Sequence, residues 1–356
     1  MHIIKNNRSW IGGRSLFTAA CVVVIVAGLH AAESILVPFL LSVFLAVIWS
    51  SPLFWLQKKG VPMPIAMLFV IVTVIATGLI LIAFVGSTLE DLLTAIPSYQ
   101  ANLEQEIAVM IVWLEGIGIN IPDNALYGVV DQEKIMQLVT GILTGLGGLL
   151  TSALLVLLMV FFMLLEASSI PTKLRVALGD ADTAIMQLSK IIDSIKRYLA
   201  IKTMTSLATG ICVAFWLAII GVDYPLLWGL LAFLLNYIPN IGSFIAAIPA
   251  LLLAFIQLGI GATVFAGLGY LLINGAIGNV IEPRVMGRGV GLSTLVVFLS
   301  LVFWGWVLGL VGMLLSVPLT MCIKIALESH EDTRWIAILM GSEASGFKVS
   351  ETTMPE

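Results

Sequence analysis

The sequence predicts an all-α polytopic membrane protein, and three observations carry that expectation. Hydrophobic residues fill 60% of the 356 positions, charged residues only 11%, and mean hydropathy is +1.10, whereas roughly a quarter of a soluble domain carries charge. Apolar runs long enough to cross a hydrocarbon core of about 30 Å as helices recur along the chain. One stretch, 224–281, has no charged side chain, yet it holds Asn236, Pro239, Asn240 and Gly242 in its middle. Backbone groups released by such a break are costly in hydrocarbon unless protein or water satisfies them. Broken helices of this kind are expected to line a cavity.

Six runs are expected to make full crossings: 16–32, 35–56, 65–85, 142–165, 203–222 and 260–281. The first follows a basic leader and ends on Ala31 and Ala32, as a signal peptide would, but the apolar pattern resumes at once through Ile35 and Pro38. It reads as a first transmembrane helix. Three helices thus occupy residues 1–87. Residues 88–141 form an extracytoplasmic helical insert, in which Leu92, Ile96, Leu103, Ile107, Ile111 and Leu114 make one apolar stripe. Pro97 and Pro122 are expected to cut it into short helices. A solvated cap fits better than a ligand-binding domain, because roughly 50 residues bury a thin core.

After the crossing at 142–165, residues 166–202 form a cytoplasmic amphipathic segment. Ile185, Leu188, Ile191, Ile192, Ile195 and Leu199 mark its apolar face, suited to the lipid surface or to docking on the bundle. Residues 203–327 form the transport core. Within it, 226–258 and 292–323 have 33 and 32 residues, too long for one upright span and short of the roughly 40 that two need. Each reads as a re-entrant hairpin. Residues 328–356 are a cytoplasmic tail.

Basic residues orient the chain. Lys5, Arg8 and Arg14 precede the first span, Lys58 and Lys59 follow the second, and Lys173, Arg175, Lys190, Lys196, Arg197 and Lys202 follow the fourth. Those segments face the cytoplasm by the positive-inside rule. Glu33 alone lies between the first two spans, and only Lys134 accompanies the carboxylates of the insert, so both are assigned outside. With one hairpin entering from each side, Arg284, Arg288 and Lys324 fall inside, and both termini are cytoplasmic.

Enzymatic constellations are missing. No Gly-rich loop ends in Lys-Ser or Lys-Thr, no His-Glu-x-x-His pair occurs, and the only histidines are His2, His30 and His330. No cofactor, bound metal or nucleic-acid partner is implied. Cys21, Cys212 and Cys322 lie in apolar segments and read as packing residues.

The polar residues left at membrane depth are mostly uncharged: Asn236, Asn240, Ser243 and Gln257 around the first hairpin, Asn274 and Asn279 on the next span. Such side chains glue helices together or line a wet path. Pro239 removes an amide donor and exposes a carbonyl, which favours the path. Gly242 to Pro249 is weakly repeated by Gly312 to Pro318, so two opposed hairpins would make a pseudo-symmetric, alternating-access core. Glu282, beside Arg284 and Arg288, is the candidate gate latch or ion-coupling carboxylate, with both arginines as its expected partners; the arginines read equally as topological anchors.

Trp228-Gly-Leu-Leu-Ala-Phe-Leu-Leu-Asn-Tyr-Ile-Pro-Asn-Ile-Gly-Ser243, Glu282-Pro-Arg-Val-Met-Gly-Arg-Gly-Val-Gly-Leu-Ser-Thr294 and Phe303-Trp-Gly-Trp306 resemble the autoinducer-2 exporter family. The resemblance implies an inner-membrane permease that exports the quorum-sensing signal autoinducer-2, or a sodium or lithium ion/proton antiporter of the same family. It also implies a homo-oligomer, with a pentamer as the size to test. The uncharged lining suits a small hydroxylated solute, with protons or sodium as possible coupling ions and the lipid bilayer as surroundings. A channel or structural oligomer is the third reading.

Overall fold

The computed structural model describes residues 8–116, 141, 153–167, 169, 173, 175–176, 182–239, 241–286, 291–329 and 331–341. These are helical almost throughout, with no strand among the described residues. In chain order the helices are α1 (Arg8–Ala31), α2 (Glu33–Lys58), α3 (Met63–Gly116), α4 (Ala153–Ala167), α5 (Asp182–Ile220), α6 (Pro225–Leu235), α7 (Gly242–Ala276), α8 (Glu282–Met286), α9 (Thr294–Glu328) and α10 (Arg334–Leu339), with a π-helical turn (Ile277–Ile281) between α7 and α8. Among the described residues, α2 and stretches of α3, α5, α7 running into α8, and α9 make five helical segments long and apolar enough to cross a membrane. Shorter apolar runs occur at 20–31, 155–167 and 225–235. The chain is an integral membrane protein.

α3 corrects one expectation. It runs for 54 residues, through Pro97, as a single helix. A proline inside a helix costs one backbone hydrogen bond and crowds the preceding turn. Here the surrounding turns are held from the side. Leu103 packs on Ile256 with Tyr99, Leu252 and Phe255 around them, and Tyr99 donates to the Asp223 carboxylate at 2.9 Å. The first part of the insert is therefore docked onto the core, and not only a solvated cap; Pro122 and the rest of the insert lie outside the described residues.

α5 joins what the sequence divides. The border between residues 202 and 203 falls inside one continuous helix of 39 residues. Its apolar stripe docks on the bundle, with Ile195, Tyr198 and Leu199 buried against Phe44, Leu315 and Met321.

α7 and α9 are each broken by a glycine in the left-handed region, Gly259 (φ 78°) and Gly309 (φ 61°). A side chain at either position would be strained. α6 and residues 242–258 fold back on each other around a tip that includes Asn236 to Pro239 and Ile241, burying Leu227, Leu231, Ala246, Ala250 and Leu253 in one cluster. Residues 294–307 and 310–328 do the same around Leu308 and Gly309, and Trp304 Nε1 donates to Thr320 Oγ1 at 3.1 Å across the pair. Both hairpins close in the same way. A Cβ on Gly242 would stand 1.8 Å from the Leu235 carbonyl oxygen, and one on Gly312 would stand 2.0 Å from that of Trp304.

α5 also shows that the hairpins open at opposite ends of the bundle. The open end of the first lies beside the α5 C-terminus, where the Asp223 amide donates to Gln257 Oε1 at 3.0 Å. The open end of the second lies beside the α5 N-terminal half, where Lys190 reaches Glu328 at 3.5 Å. The tip of the second hairpin meets the junction of α1 and α2. His30 pairs with the Val307 carbonyl at 3.1 Å and stacks on Trp306, while the Glu33 carboxylate lies against Gly309. The tip thus reaches the level of Glu33, the end of the bundle that the charge pattern assigns outside.

Candidate functional site

The site is built where the tip of the first hairpin, the middle of α5 and the π-helical turn converge. α5 carries a polar stripe, Lys202, Thr205, Ser206 and Thr209, all buried and spaced so that they share one face. Asn236 ends α6 against that stripe. Its Nδ2 donates to Ser206 Oγ at 3.0 Å, and its Oδ1 accepts from Ser243 Oγ at 3.0 Å. One buried amide therefore ties α5 to both arms of the hairpin, with its donor and acceptor both used. Tyr237 and Thr203 hydroxyls, 2.7 Å apart, add a second tie.

Beyond the tip, residues 260–276 run back along the bundle and end in the π-helical turn. A single wide turn shifts the register of the residues after it and is often found at functional positions. Asn279 sits on this turn, and Glu282 follows immediately.

These elements enclose a cavity of about 250 Å³ lined by Asn236, Pro239, Ser243, Asn274, Asn279 and Glu282, together with Lys202, Phe244, Leu271, Gly275 and Gly278. Six residues predicted from the sequence thus share one wall. The side-chain amides of Asn274 and Asn279 make no hydrogen bond to protein among the described residues, so they are available to a solute. A larger groove of about 480 Å³ between α3 and α4, lined by residues such as Val74, Leu79 and Phe161, has no polar side chain on its wall.

Glu282 does not pair with Arg284. Lys202 Nζ lies 2.7 Å from Glu282 Oε1, with the two side chains 4% and 14% exposed, and Thr205 Oγ1 donates to Oε2 at 3.4 Å. Residues two apart on a helix point to different sides, so Arg284 faces away and stands exposed. A buried ion pair offsets its desolvation only with close geometry and added hydrogen bonds, and both are present here. Lys202 is the residue that sequence reasoning missed. The charge pattern groups it with the cytoplasmic bases, although the polar spacing 202, 205, 206, 209 where the apolar run begins marks a buried face.

The remaining candidates lie elsewhere. Gly242 supports the tip from behind. Gly312 and Pro318 belong to the packed interior of the second hairpin, among Val311, Leu315 and Val317. Asn240 and Arg288 lie outside the described residues.

A family model described as AI-2E family transporter matches residues 19–332. Among similar proteins, the AI-2 transport protein TqsA of Escherichia coli (strain K12) is 41% identical over 90% of this chain and 93% of its own length. YhhT of the same organism is 37% identical over 93% and 95%, respectively. A Haemophilus influenzae protein is 40% identical over 92% and 96%. TqsA alone of these three has a solute in its name.

Proposed function

The chain belongs to the AI-2E transporter family, and on that premise we propose that it is a secondary transporter exporting autoinducer-2, with the cavity at the tip of the first hairpin as its solute site. The observation that carries this reading is the wall of the cavity. Apart from the Lys202–Glu282 pair, its polar side chains are uncharged: Asn236 and Ser243, which bond each other, and Asn274 and Asn279, whose amides face the cavity unpaired among the described residues. A small hydroxylated solute both donates and accepts, and amides and hydroxyls match it without an ion pair. The likeness to TqsA supports the choice of solute.

In this proposal the protein sits in the bacterial inner membrane with both termini and the basic segment that leads into the buried stripe of α5 cytoplasmic, and 88–141 outside. The core spans 203–327, its first hairpin is re-entrant while the second extends to the outer end of the bundle, and the assembly is a homo-oligomer, with five subunits as the number to test. Alternating access comes from rearrangement of the first hairpin tip against α5, with Glu282 as the gate. The driving force is the solute gradient or protons.

Glu282 in the cavity wall favours a second reading, sodium or lithium ion/proton antiport, since intramembrane carboxylates commonly mark ion paths. One experiment separates the two. Purified protein in liposomes is given an autoinducer-2 gradient or a sodium gradient, and solute flux and internal pH are followed. Autoinducer-2 flux that is independent of sodium supports export. Sodium-dependent proton movement without autoinducer-2 flux moves the assignment to antiport.

A further inference from the structure

The Lys202–Glu282 pair is the only charged pair on the cavity wall among the described residues, and it lies where every other polar group is neutral. A lone carboxylate in such a wall would hold a monovalent cation, because low-dielectric surroundings strengthen the attraction. Lys202 removes that charge. Its ammonium is buried, reaches Oε1 at 2.7 Å, and leaves Oε2 with only a long contact from Thr205 at 3.4 Å. A carboxylate accepts at about four positions, so Glu282 retains capacity for a hydroxyl donor while carrying no net charge with its partner.

We propose that Lys202 sets the charge class of the solute: by cancelling Glu282 inside the cavity, it keeps the site for an uncharged hydroxylated solute and denies it to monovalent cations. The proposal rests on the cavity being the solute site. A solute hydroxyl then donates to Glu282 and accepts from the Asn274 or Asn279 amide. A sodium ion must first displace an ammonium that the fold holds in place.

The test uses sodium itself as the probe, on full-length protein in detergent and in liposomes. Melting temperature in sodium chloride is compared with that in choline chloride at equal ionic strength, and uptake of radioactive sodium is measured. Wild-type protein should not distinguish the two salts. Lys202→Met should gain sodium-dependent stabilisation and roughly tenfold more sodium uptake, the ratio given by about 1.4 kcal/mol of added cation binding. Lys202→Met combined with Glu282→Gln should lose both gains. Lys202→Gln, which keeps a hydrogen bond without the charge, is measured beside it and should behave as Lys202→Met does, so that the question is answered even if the methionine variant does not fold. A wild-type protein as sodium-responsive as the variants, or folded Lys202 variants with no sodium response, would overturn the proposal. Absence of autoinducer-2 flux in wild type overturns the export reading alone, because these cation measurements need no transported signal.

Discussion

Gly242→Ala is a severe test of the hairpin tip. The added Cβ would lie 1.8 Å from the Leu235 carbonyl oxygen and 3.1 Å from Ile238 Cβ. Ordinary contact needs about 3.5 Å, so the chain must open at the tip by more than an ångström. That movement draws Ser243 away from Asn236, to which it donates at 3.0 Å. Overpacking costs about 1–3 kcal/mol, and the lost hydrogen bond about 1 kcal/mol more. The intact tip should become at least roughly thirtyfold less populated. Gly275→Ala is the control, because Gly275 also lines the cavity but a Cβ there meets nothing within 4 Å. Thermal unfolding in detergent and autoinducer-2 counterflow in liposomes read the two variants. Gly242→Ala should lower the melting temperature and nearly abolish counterflow, while Gly275→Ala keeps the wild-type melting temperature. Equal behaviour of the two in both assays would refute the close-approach argument.

Other expectations follow from the same contacts. Glu282→Gln should slow transport at wild-type expression, whereas Arg284→Lys should leave it unchanged, because only Glu282 reaches the cavity; equal loss in counterflow would remove that distinction. Asn236→Ala strips partners from Ser206 and Ser243 and should cost about 1–3 kcal/mol of stability, measured by denaturation. Burial and the Asp223 carboxylate hold the Tyr99 phenol above its ordinary value. Its stabilising contribution is therefore complete below the ordinary tyrosine value near pH 10 and declines as pH rises beyond it, a loss that Tyr99→Phe should abolish in pH-dependent melting. A single cysteine at position 115 in a Cys-free background should label only from outside.

Much of the site was legible because polar residues at membrane depth are few and each needs a reason. Asn236, Ser243, Asn274, Asn279 and Glu282 stood out against an apolar background, and the fold brings them to one cavity. The partner of Glu282 was not legible from local sequence. Its nearest bases in the chain, Arg284 and Arg288, suggested a latch, while the actual base lies 80 positions away on α5. Pro97 misled for a related reason. A proline signals a break only when nothing else holds the helix, and the contacts of Tyr99 and Leu103 with distant residues do so here. The break in the over-long run 292–323 was visible from its length, but its position was fixed by the left-handed backbone at Gly309, whereas Gly259 falls between two runs that the sequence already separates.

The docking of α3 on the open end of the first hairpin has a mechanical consequence. Tyr99 and Leu103 hold that end through Asp223 and Ile256, with Glu106 beside Gly259, while the tip is held by side-chain hydrogen bonds to α5 and by the buried Ile238. Held at its root by α3 and at its far end by α5, the hairpin is a braced beam, and its tip cannot move without sliding against one of these two long helices.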